Sequence, residues 1–265
     1  MTFAHQYGPW ALITGSGNGL GAEFALQTAQ RGIHVVLVDI DAEGLKRTED
    51  TIRQQTHQLV RSVCCDLTHP DSVNQIATAT TDIEIGLLIN NAGISALGLF
   101  LEKPLPDHLQ VIELNIRLPL QLSHLFGLQM RERKRGGIIF ISSLSALQGT
   151  AYVANYAATK AWNLIIAEGL WAELKPHGID VLGFLVGSTR TPGFMNSQPK
   201  LQRATVPVME IPPTVKDALD ALGQQPSAVA GKLNRLITPF LQRFLKRKHA
   251  IQLISKTMQQ LYGDA

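Results

Sequence analysis

Short runs of apolar, often β-branched residues recur along the first 190 residues, and each is followed by a longer stretch with helical periodicity. These runs predict six strands, centred on Trp10–Thr14, Val35–Val38, Leu59–Cys64, Gly86–Asn90, Ile138–Ser142 and Asp180–Leu185. Strands that alternate with helices form parallel sheets with right-handed crossovers. The pattern therefore predicts a single α/β domain with a doubly wound parallel sheet flanked by helices on both faces. A further short strand near the C-terminus is possible, but no pattern identifies it.

The segment from Thr14 to Gly21 follows the first predicted strand and runs into the first helical stretch. Its four glycines leave room for a backbone to approach a pyrophosphate, and the amides and dipole of a helix N-terminus favour that charge. A short glycine pattern is also found in plain turns. The candidate dinucleotide contacts in this loop are Gly15, Ser16, Asn18, Gly19, Leu20 and Gly21.

Asp39 ends the second predicted strand, eighteen residues beyond Gly21. A Rossmann-type βαβ unit places there the acid that binds the adenosine ribose hydroxyls. A 2′-phosphate beside this carboxylate would cost about 4 kcal/mol per unit charge at ~4 Å and an effective dielectric of ~20. Neither the loop nor the residues after Asp39 supply an offsetting cation, so the sequence predicts NAD rather than NADP. The alternative role for Asp39 is a helix cap at the strand end.

Tyr156 and Lys160 are four residues apart in a segment of good helix formers, so their side chains share one helix face. A lysine ammonium ~4 Å from a phenol would lower its pKa by about three units at a dielectric of ~20. Such a tyrosine can act as a base near neutral pH. Ser143 lies at the end of a predicted buried strand, where open α/β sheets bind ligands, and its hydroxyl could polarise a carbonyl.

Together with the turn Asn90 to Gly93, these segments resemble the motifs of the short-chain dehydrogenase/reductase family over roughly residues 8 to 192. The resemblance implies a nicotinamide-dependent oxidoreductase that interconverts a secondary alcohol and a ketone. It implies Tyr156 as general acid/base, Lys160 as the ribose ligand that lowers the tyrosine pKa, and Ser143 as the group that orients the substrate oxygen. Asn115 matches the asparagine of the family's proton relay; its alternative is an ordinary helix asparagine.

Matching segments imply further cofactor contacts at Asp66, Leu67, Asn90, Ala92, Gly93, Gly187, Thr189 and Thr191, beside Tyr156 and Lys160. Asp66 could equally cap a helix that begins near Pro70. Val186 stands where the family usually has a proline, which leaves that turn less rigid.

Residues 1–192 are expected to form the dinucleotide-binding and catalytic core, and residues 193–265 a substrate lid and a C-terminal helical extension of the same domain. Five prolines between Pro192 and Pro213 predict a loop with short helical pieces. An apolar, steroid-like or lipid-derived substrate would suit the side chains of this region, although core packing explains them equally well. They are Ile94, Leu144, Leu147, Val153, Phe194, Met195, Leu201, Val206, Val208, Met209 and Ile211.

Between Ala221 and Gly263 there are seven Lys or Arg and no Asp or Glu, although the whole chain carries only +3. Apolar residues recur there at helical spacing, which predicts a basic amphipathic helix. They are Leu236, Phe240, Phe244, Ile251, Ile254, Met258 and Leu261. The helix could pack on its own fold or on a sister subunit, contact an anionic membrane peripherally, or bind an acidic partner. No nucleic-acid partner is expected, because aromatic residues are not interleaved with the basic ones.

The 265 residues and 45% hydrophobic content fit one sizeable core. Cys64 and Cys65 point to opposite faces of a strand, and no signal-like segment or apolar run of eighteen residues is present. We therefore expect a soluble, cytoplasmic protein without a metal site, and a homodimer or homotetramer as is common in the family. A catalytically silent NAD(P)-binding sensor or scaffold is the competing function.

Overall fold

The computed structural model describes residues 2–203 and 206–263, and for residues 239–242 it describes the backbone alone. A seven-stranded, all-parallel sheet runs through the centre in the order β3-β2-β1-β4-β5-β6-β7. Its strands are β1 Trp10–Thr14, β2 His34–Asp39, β3 Val60–Cys64, β4 Ile85–Asn90, β5 Gly136–Ser143, β6 Ile179–Val186 and β7 Ser227–Val229. The six predicted strands and the doubly wound fold are confirmed. The strand that the sequence did not reveal is β7, which has three residues.

Helices cover both faces of the sheet. They are α1 Phe3–Tyr7, α2 Gly19–Gln30, α3 Ala42–Gln55, α4 Ser72–Ala79, α5 Leu105–Ile112, α6 Leu118–Arg133, α7 Ala154–Leu174, α8 Pro192–Asn196, α9 Ile211–Ala221, α10 Lys232–Phe244 and α11 Arg247–Tyr262. One buried cluster contains Phe24 of α2, Leu45 of α3 and Val215 of α9. The other contains Ile76 of α4, Phe126 of α6 and Ala167 of α7. Since apolar side chains point to both faces of β1, β4 and β5, both layers are needed to cover the sheet.

A single turn of π-helix, Glu113–Arg117, joins α5 to α6. Such a turn inserts one extra residue into the hydrogen-bonding ladder, and it is often found at functional sites. Asn115 lies in this turn and is only 1% exposed. The structure thus gives Asn115 a backbone environment that differs from that of an ordinary helix position.

The C-terminal extension forms two helices rather than the single amphipathic helix that the sequence predicted. The break falls at Leu245 and Lys246, and Lys246 has an extended backbone conformation. A continuous helix over the same residues would reach about 45 Å, well beyond the fold. The break allows α11 to return across the carboxyl edge of the sheet. Phe240, which the sequence placed on the apolar face, has its side chain outside the described part of α10.

The turn between β1 and α2 is held by a close backbone approach. A Cβ atom on Gly21 would lie 1.9 Å from the carbonyl oxygen of Gly15 and 2.6 Å from Nδ2 of Asn91. Both neighbours are fixed, because one is backbone and the other is hydrogen-bonded to it. Gly21 is therefore required by packing, independently of any ligand.

We expect Gly21→Ala to lower the free energy of unfolding by at least about 2 kcal/mol, because an added methyl group must displace backbone. Gly169 is the matched control, since it lies within α7 and an added Cβ meets nothing within 4 Å. Gly169→Ala should raise stability by up to about 1 kcal/mol through helix propensity. Urea unfolding of the ligand-free protein measures both. Equal stability of Gly21→Ala and the wild type would contradict the packing argument.

Candidate active site

A cavity of about 1190 Å³ opens along the carboxyl edge of the sheet, where the strand order reverses between β1 and β4. Open α/β sheets bind ligands at this switch point. The glycine turn and the ends of β2, β4, β5 and β6 form the floor of the cavity, and residues of α7, α8, α10 and α11 form its walls and roof. One continuous space therefore joins the predicted dinucleotide cleft to the predicted substrate lid.

The N-terminus of α2 faces this cavity with unpaired amides. Asn18 is the N-cap residue of α2, and its side chain makes no capping hydrogen bond. Gly15 and Gly19 have φ angles of +67° and +58°, a region in which side chains are strained. Gly15, Asn18, Gly19, Leu20 and Gly21 all line the cavity. A helix N-terminus without a side-chain acceptor is suited to a phosphate group, so this part of the chain fits a dinucleotide.

Ser16 takes a different place from the other predicted loop contacts. It is fully buried, and its hydroxyl accepts a hydrogen bond from the amide of Val38 at 2.8 Å. The carbonyl of Ser16 accepts a hydrogen bond from the hydroxyl of Thr48. Ser16 is not among the cavity-lining residues. Its side chain ties the glycine turn to β2 and α3 and does not face the ligand space.

The turn after β4 is held to β1 by Thr14 and Asn91. The amides of Asn91 and Ala92 both donate to the Thr14 hydroxyl, at 3.1 and 3.0 Å. Nδ2 of Asn91 donates to the carbonyls of Thr14 and Gly15. Asn91, Ala92 and Gly93 line the cavity, whereas Asn90 is buried and donates to Ser123. The sequence analysis singled out Asn90 and missed Asn91, although both belong to the same motif.

Asp39 lies at the end of β2 and lines the cavity. Its carboxylate accepts hydrogen bonds from the amide of Gly17 at 2.8 Å and from the amide of Asp41 at 3.0 Å. The helix that follows is capped by Asp41, which accepts from the amide of Gly44. The capping alternative for Asp39 is therefore wrong. Arg47, the nearby cation of α3, pairs with Asp41 and Glu43.

Asp66 and Leu67 lie just beyond β3, and both line the cavity. The carboxylate of Asp66 accepts from the amide and the hydroxyl of Thr68, which lowers its pKa. The following helix, α4, has Asp71 at its N-cap position. The alternative that Asp66 caps this helix is therefore wrong, and Asp66 instead stabilises the turn before it.

Ser143, Tyr156 and Lys160 meet in the middle of the cavity. The Ser143 hydroxyl accepts from the amide and the hydroxyl of Ser145, at 3.2 and 2.9 Å. Nζ of Lys160 lies 5.6 Å from the centre of the Tyr156 ring and donates to the carbonyl of Ile141 at 2.8 Å. The hydroxyl of Ser142 donates to the Lys160 carbonyl, which fixes this turn of α7 to β5.

Burial dominates the protonation of this group. It raises the pKa of Tyr156, and the hydrogen bond with Ser143 acts in the opposite direction. Burial also lowers the pKa of Lys160 to about 8. The sequence analysis expected Lys160 to acidify the tyrosine across ~4 Å of partly solvated space. In this structure burial outweighs that effect, because the ammonium donates to the Ile141 carbonyl and the phenol is shielded from water. The effect of Lys160 on the tyrosine stays a prediction.

Asn115 connects the π-turn to the turn after β4. Its Oδ1 accepts from the amide of Ile94 at 3.0 Å, and its Nδ2 donates to the carbonyl of Ile94 and to the hydroxyl of Thr159. All of its polar side-chain atoms are thus used within the protein. Thr159 precedes Lys160 in α7, so Asn115 links three segments that border the cavity.

Gly187, Thr189 and Thr191 follow β6 and line the cavity. The Thr189 hydroxyl donates to the carbonyl of Gly187 at 3.1 Å. The Thr191 hydroxyl accepts from the amide of Phe194 and caps α8. Both side chains therefore have structural partners in addition to their position at the cavity.

The lid and the C-terminal helices supply an apolar wall. Of the predicted apolar residues, several line the cavity, namely Ile94, Leu144, Leu147, Val153, Phe194, Val206, Ile254 and Met258. Met209 and Ile211 instead pack against the core, as the alternative interpretation required. The extension packs on its own fold through α11, which shares this cavity. Arg247 and Tyr262 also line the cavity, which no local sequence pattern indicated.

The family model for the short chain dehydrogenases matches residues 9–202 of the chain. The protein is a short-chain dehydrogenase. A 7beta-hydroxysteroid dehydrogenase from Clostridium sardiniense is 31% identical over 235 residues, which cover 89% of this chain and 90% of the relative.

Two solved structures are similar to this short-chain dehydrogenase. A structure of a 7beta-hydroxysteroid dehydrogenase has a TM-score of 0.89 at 24% identity and covers 96% of this chain and 99% of its own, which shows the fold. A short-chain dehydrogenase from Sphingobium yanoikuyae in complex with NADPH has a TM-score of 0.78 at 28% identity and covers 89% of this chain and 93% of its own. The protein is thus an NAD(P)-dependent oxidoreductase that acts on alcohol and ketone groups.

The described residues offer neither a metal site nor a membrane-spanning helix. Among residues 2–203 and 206–263, no group of three or more His, Cys, Asp or Glu side chains is arranged to hold a metal ion. In the same part of the chain, no helix is both long enough and apolar enough to cross a bilayer.

The buried lysine of this short-chain dehydrogenase makes its stability depend on pH. Lys160 is 4% exposed, and its pKa of about 8 lies below the unfolded value of 10.5. Between these values the unfolded chain binds more protons than the folded protein, so the stability contribution of Lys160 rises with pH. Below pH 8 the penalty for burying the charge is present in full.

We expect the difference in unfolding free energy, wild type minus Lys160→Met, to increase from pH 7 to pH 10 by on the order of 2 kcal/mol. Urea unfolding of the cofactor-free protein at each pH measures it. Lys256→Met, on the exposed side of α11, controls for the loss of one surface charge. A difference that stays constant over this range would show that Lys160 is not buried as an ammonium.

Proposed function

We propose that this protein is an NAD-dependent oxidoreductase that reduces the ketone, or oxidises the secondary alcohol, of a bulky apolar substrate of steroid-like shape. The proposal is supported above all by one cavity that contains Ser143, Tyr156 and Lys160 together. The same cavity has an apolar lid and a helix N-terminus that fits a phosphate. The nicotinamide, when bound, supplies or accepts the hydride. The chain's own residues then have to orient the substrate oxygen and move one proton.

In this proposal Tyr156 transfers the proton to or from the substrate oxygen, and Ser143 donates a hydrogen bond to the same oxygen. The raised pKa keeps the Tyr156 phenol protonated at neutral pH, which is the form that an acid in ketone reduction needs, and it also makes that proton harder to transfer. Lys160 keeps a cation near the phenol ring, where it stabilises the phenolate that remains after the proton leaves. Asn115 positions the Ile94 backbone and Thr159 beside this group.

The other predicted site residues have places around the cavity that suit the roles proposed for them. Gly15, Asn18, Gly19, Leu20 and Gly21 would contact the pyrophosphate, Asp66 and Leu67 the adenine, and Ala92 and Gly93 the adjoining ribose. Thr189 and Thr191, with Gly187, would contact the nicotinamide carboxamide. Ser16 and Asn90 would support the cofactor-binding turns without contacting the cofactor through their side chains, because these side chains point into the protein.

The proposed substrate class has two supports. The lid side of the cavity is lined by aliphatic and aromatic residues, which favour an apolar body. The relative that is 31% identical is a 7beta-hydroxysteroid dehydrogenase, and the two chains align over nine-tenths of their lengths. A lipid-derived ketone of similar bulk is the second candidate.

The deciding experiment follows oxidation of NADH and NADPH in the presence of small, steroid and long-chain ketones, with wild type and Tyr156→Phe in parallel. We expect turnover of a bulky ketone by the wild type and a loss of about 10²–10⁴ in kcat for Tyr156→Phe, because the ring remains and the proton is gone. Binding of NADH, measured by fluorescence, should persist in the variant. Tyr152→Phe is the control, since Tyr152 is not among the cavity-lining residues.

Two outcomes would overturn this assignment. Retained turnover by Tyr156→Phe would refute the role of Tyr156. Cofactor binding without turnover of any ketone or alcohol would favour the sensor or scaffold alternative, which the intact Ser143, Tyr156 and Lys160 group otherwise argues against.

The preference for NAD rests on Asp39. Its carboxylate is fixed by two amides at the cavity edge, and Ile40 beside it is exposed and uncharged. A 2′-phosphate next to this carboxylate would meet a like charge, because Arg47 is already paired with acids. An adenosine with a free 2′-hydroxyl could instead donate a hydrogen bond to it.

We expect Asp39→Ala combined with Ile40→Arg to lower the ratio of kcat/KM for NADH over NADPH by at least about 30-fold, since it replaces a repulsive charge by an attractive one. Asp41→Asn is the matched control, because it removes a neighbouring charge while an asparagine still caps α3. Steady-state kinetics with both cofactors measure the ratio. An unchanged ratio would show that Asp39 does not contact the ribose.

The oligomeric state also belongs to this proposal. Leu105, Leu109 and Ile112 of α5, Leu120 of α6 and Ile165 of α7 are exposed apolar residues on the helices of one sheet face. Monomers seldom leave such a group in water, so we propose that it is covered in a homodimer or homotetramer. Analytical ultracentrifugation of the full chain measures the state.

Peripheral membrane contact and a cytoplasmic location stay predictions. Leu233, Leu236 and Ile237 of α10 are exposed, and Lys232 and Arg235 lie on the same helix. Such a surface is suited to an anionic bilayer. Co-sedimentation with anionic vesicles, at low and high salt, measures this contact.

A further inference from the structure

We propose that the substrate carries an oxyanion, such as a carboxylate or a sulfate, at the end remote from its reactive carbon, and that Arg247 binds this group. The inference deepens the proposed function and rests on it, because the apolar part of the same substrate must reach Tyr156. It concerns the lid side of the cavity, to which neither the family motifs nor the sequence pattern assigned a charged ligand.

The charges of the cavity are distributed unevenly. Among the residues described, its charged lining side chains are Asp39, Asp66, Lys160 and Arg247. The two acids lie at the ends of β2 and β3, in the dinucleotide half, and Lys160 lies under Tyr156. Arg247 is thus the one cation that the lid side offers to a ligand in the described part of the chain. A ligand that is apolar throughout would leave this guanidinium without a use.

The position of Arg247 sets the length of the ligand. One face of α11 lines the cavity through Arg247, Ala250, Ile254, Thr257, Met258 and Tyr262. Tyr262, at the far end of α11, lines the same cavity as Tyr156 and is hydrogen-bonded to Ser197 of the lid. Tyr262 lies fifteen positions after Arg247, which corresponds to about 22 Å of helix. A ligand that joins the two sites is elongated, with its reacting carbon and its anion at opposite ends.

The surroundings of Arg247 favour an anionic guest. In the described part of the chain Arg247 has no hydrogen bond or ion pair, whereas Arg235 of α10 is paired with Asp217. No acidic residue occurs between Ala221 and Gly263, and Lys246 and Lys248 flank Arg247. Arg247 lines the cavity and is exposed as a residue. Its planar fork fits an oxyanion in bidentate geometry, and the anion can enter without full loss of water.

The test uses a matched pair of ligands, a keto-steroid whose side chain ends in a carboxylate and the methyl ester of the same compound. Isothermal titration calorimetry with the NADH-loaded and the NADPH-loaded protein gives the two dissociation constants, and steady-state kinetics give kcat/KM. We expect the wild type to bind the acid about five- to tenfold more tightly than the ester, as for a partly exposed charge-assisted pair. The preference should shrink as salt is raised from low to high concentration.

The variants are Arg247→Gln, which keeps a polar side chain of similar length, and Lys248→Gln, which removes the neighbouring exposed cation outside the cavity lining. Arg247→Gln should bring the ratio of acid to ester binding close to one, and Lys248→Gln should leave it near the wild-type value. Arg247→Lys should restore part of the preference, because the charge returns without the planar fork.

Several results would overturn the inference. The wild type could bind acid and ester equally or bind neither compound. The two glutamine variants could have equal effects. Arg247→Gln could also weaken the binding of NADH or NADPH, which would assign the guanidinium to the cofactor. Turnover of the ester without any acid preference would leave the proposed function standing and refute the anion site. Acid-selective binding that depends on Arg247, without turnover, would refute the proposed function and support the site.

Discussion

The active-site region depends on the contact between the ends of β1 and β4, two strands that are neighbours in the sheet although the chain visits β2 and β3 between them. The Thr14 hydroxyl accepts hydrogen bonds from the amides of Asn91 and Ala92, and the Asn91 side chain donates to the carbonyls of Thr14 and Gly15. These bonds fix the glycine turn, and Gly21 fits against the same Gly15 carbonyl. Without them the amides at the start of α2 would have no defined direction, and the cavity would lose its floor.

Lys160 shows how burial changes the chemistry expected from a motif. Considered as an isolated helical pair, Tyr156 and Lys160 suggest an ammonium that acidifies a phenol across a few ångströms. In the folded protein the ammonium donates to Ile141, and the phenol is shielded, so desolvation acts on both groups and makes their charged forms costly. The neutral forms, an uncharged lysine and a protonated tyrosine, are therefore more favoured here than they would be in water. The pKa values of the pair thus depend on burial between the sheet and the helices above it as much as on the spacing of the two residues.

Local patterns predicted most of the fold because each predicted strand is a buried apolar run. They also predicted Asp39, the glycine turn and the Tyr156–Lys160 pair, because each of these motifs lies within a short segment. Most departures from these patterns come from contacts between distant segments. The three residues of β7 gain their partner from β6, and three residues carry too little pattern to be recognised. Ser16 and Asn90 turn inward because Val38 and Ser123, far away in sequence, offer them partners. Asp66 differs, because its partner Thr68 is only two residues away, and Asp71 occupies the N-cap position of α4.

The C-terminal extension was the least predictable part, since its pattern of apolar and basic residues suits a membrane surface, a partner or its own fold. Its packing is decided by a few polar contacts from α11. Ser255 accepts from the amide of Ala151, shortly before Tyr156, while the carbonyl of Leu261 accepts from Lys200 in the lid. Leu261 itself is buried. The roof is therefore joined to the segment that carries Tyr156 and to the lid after β6. A ligand under α11 must share its space with both, which couples the shape of the substrate to the geometry of the reacting groups.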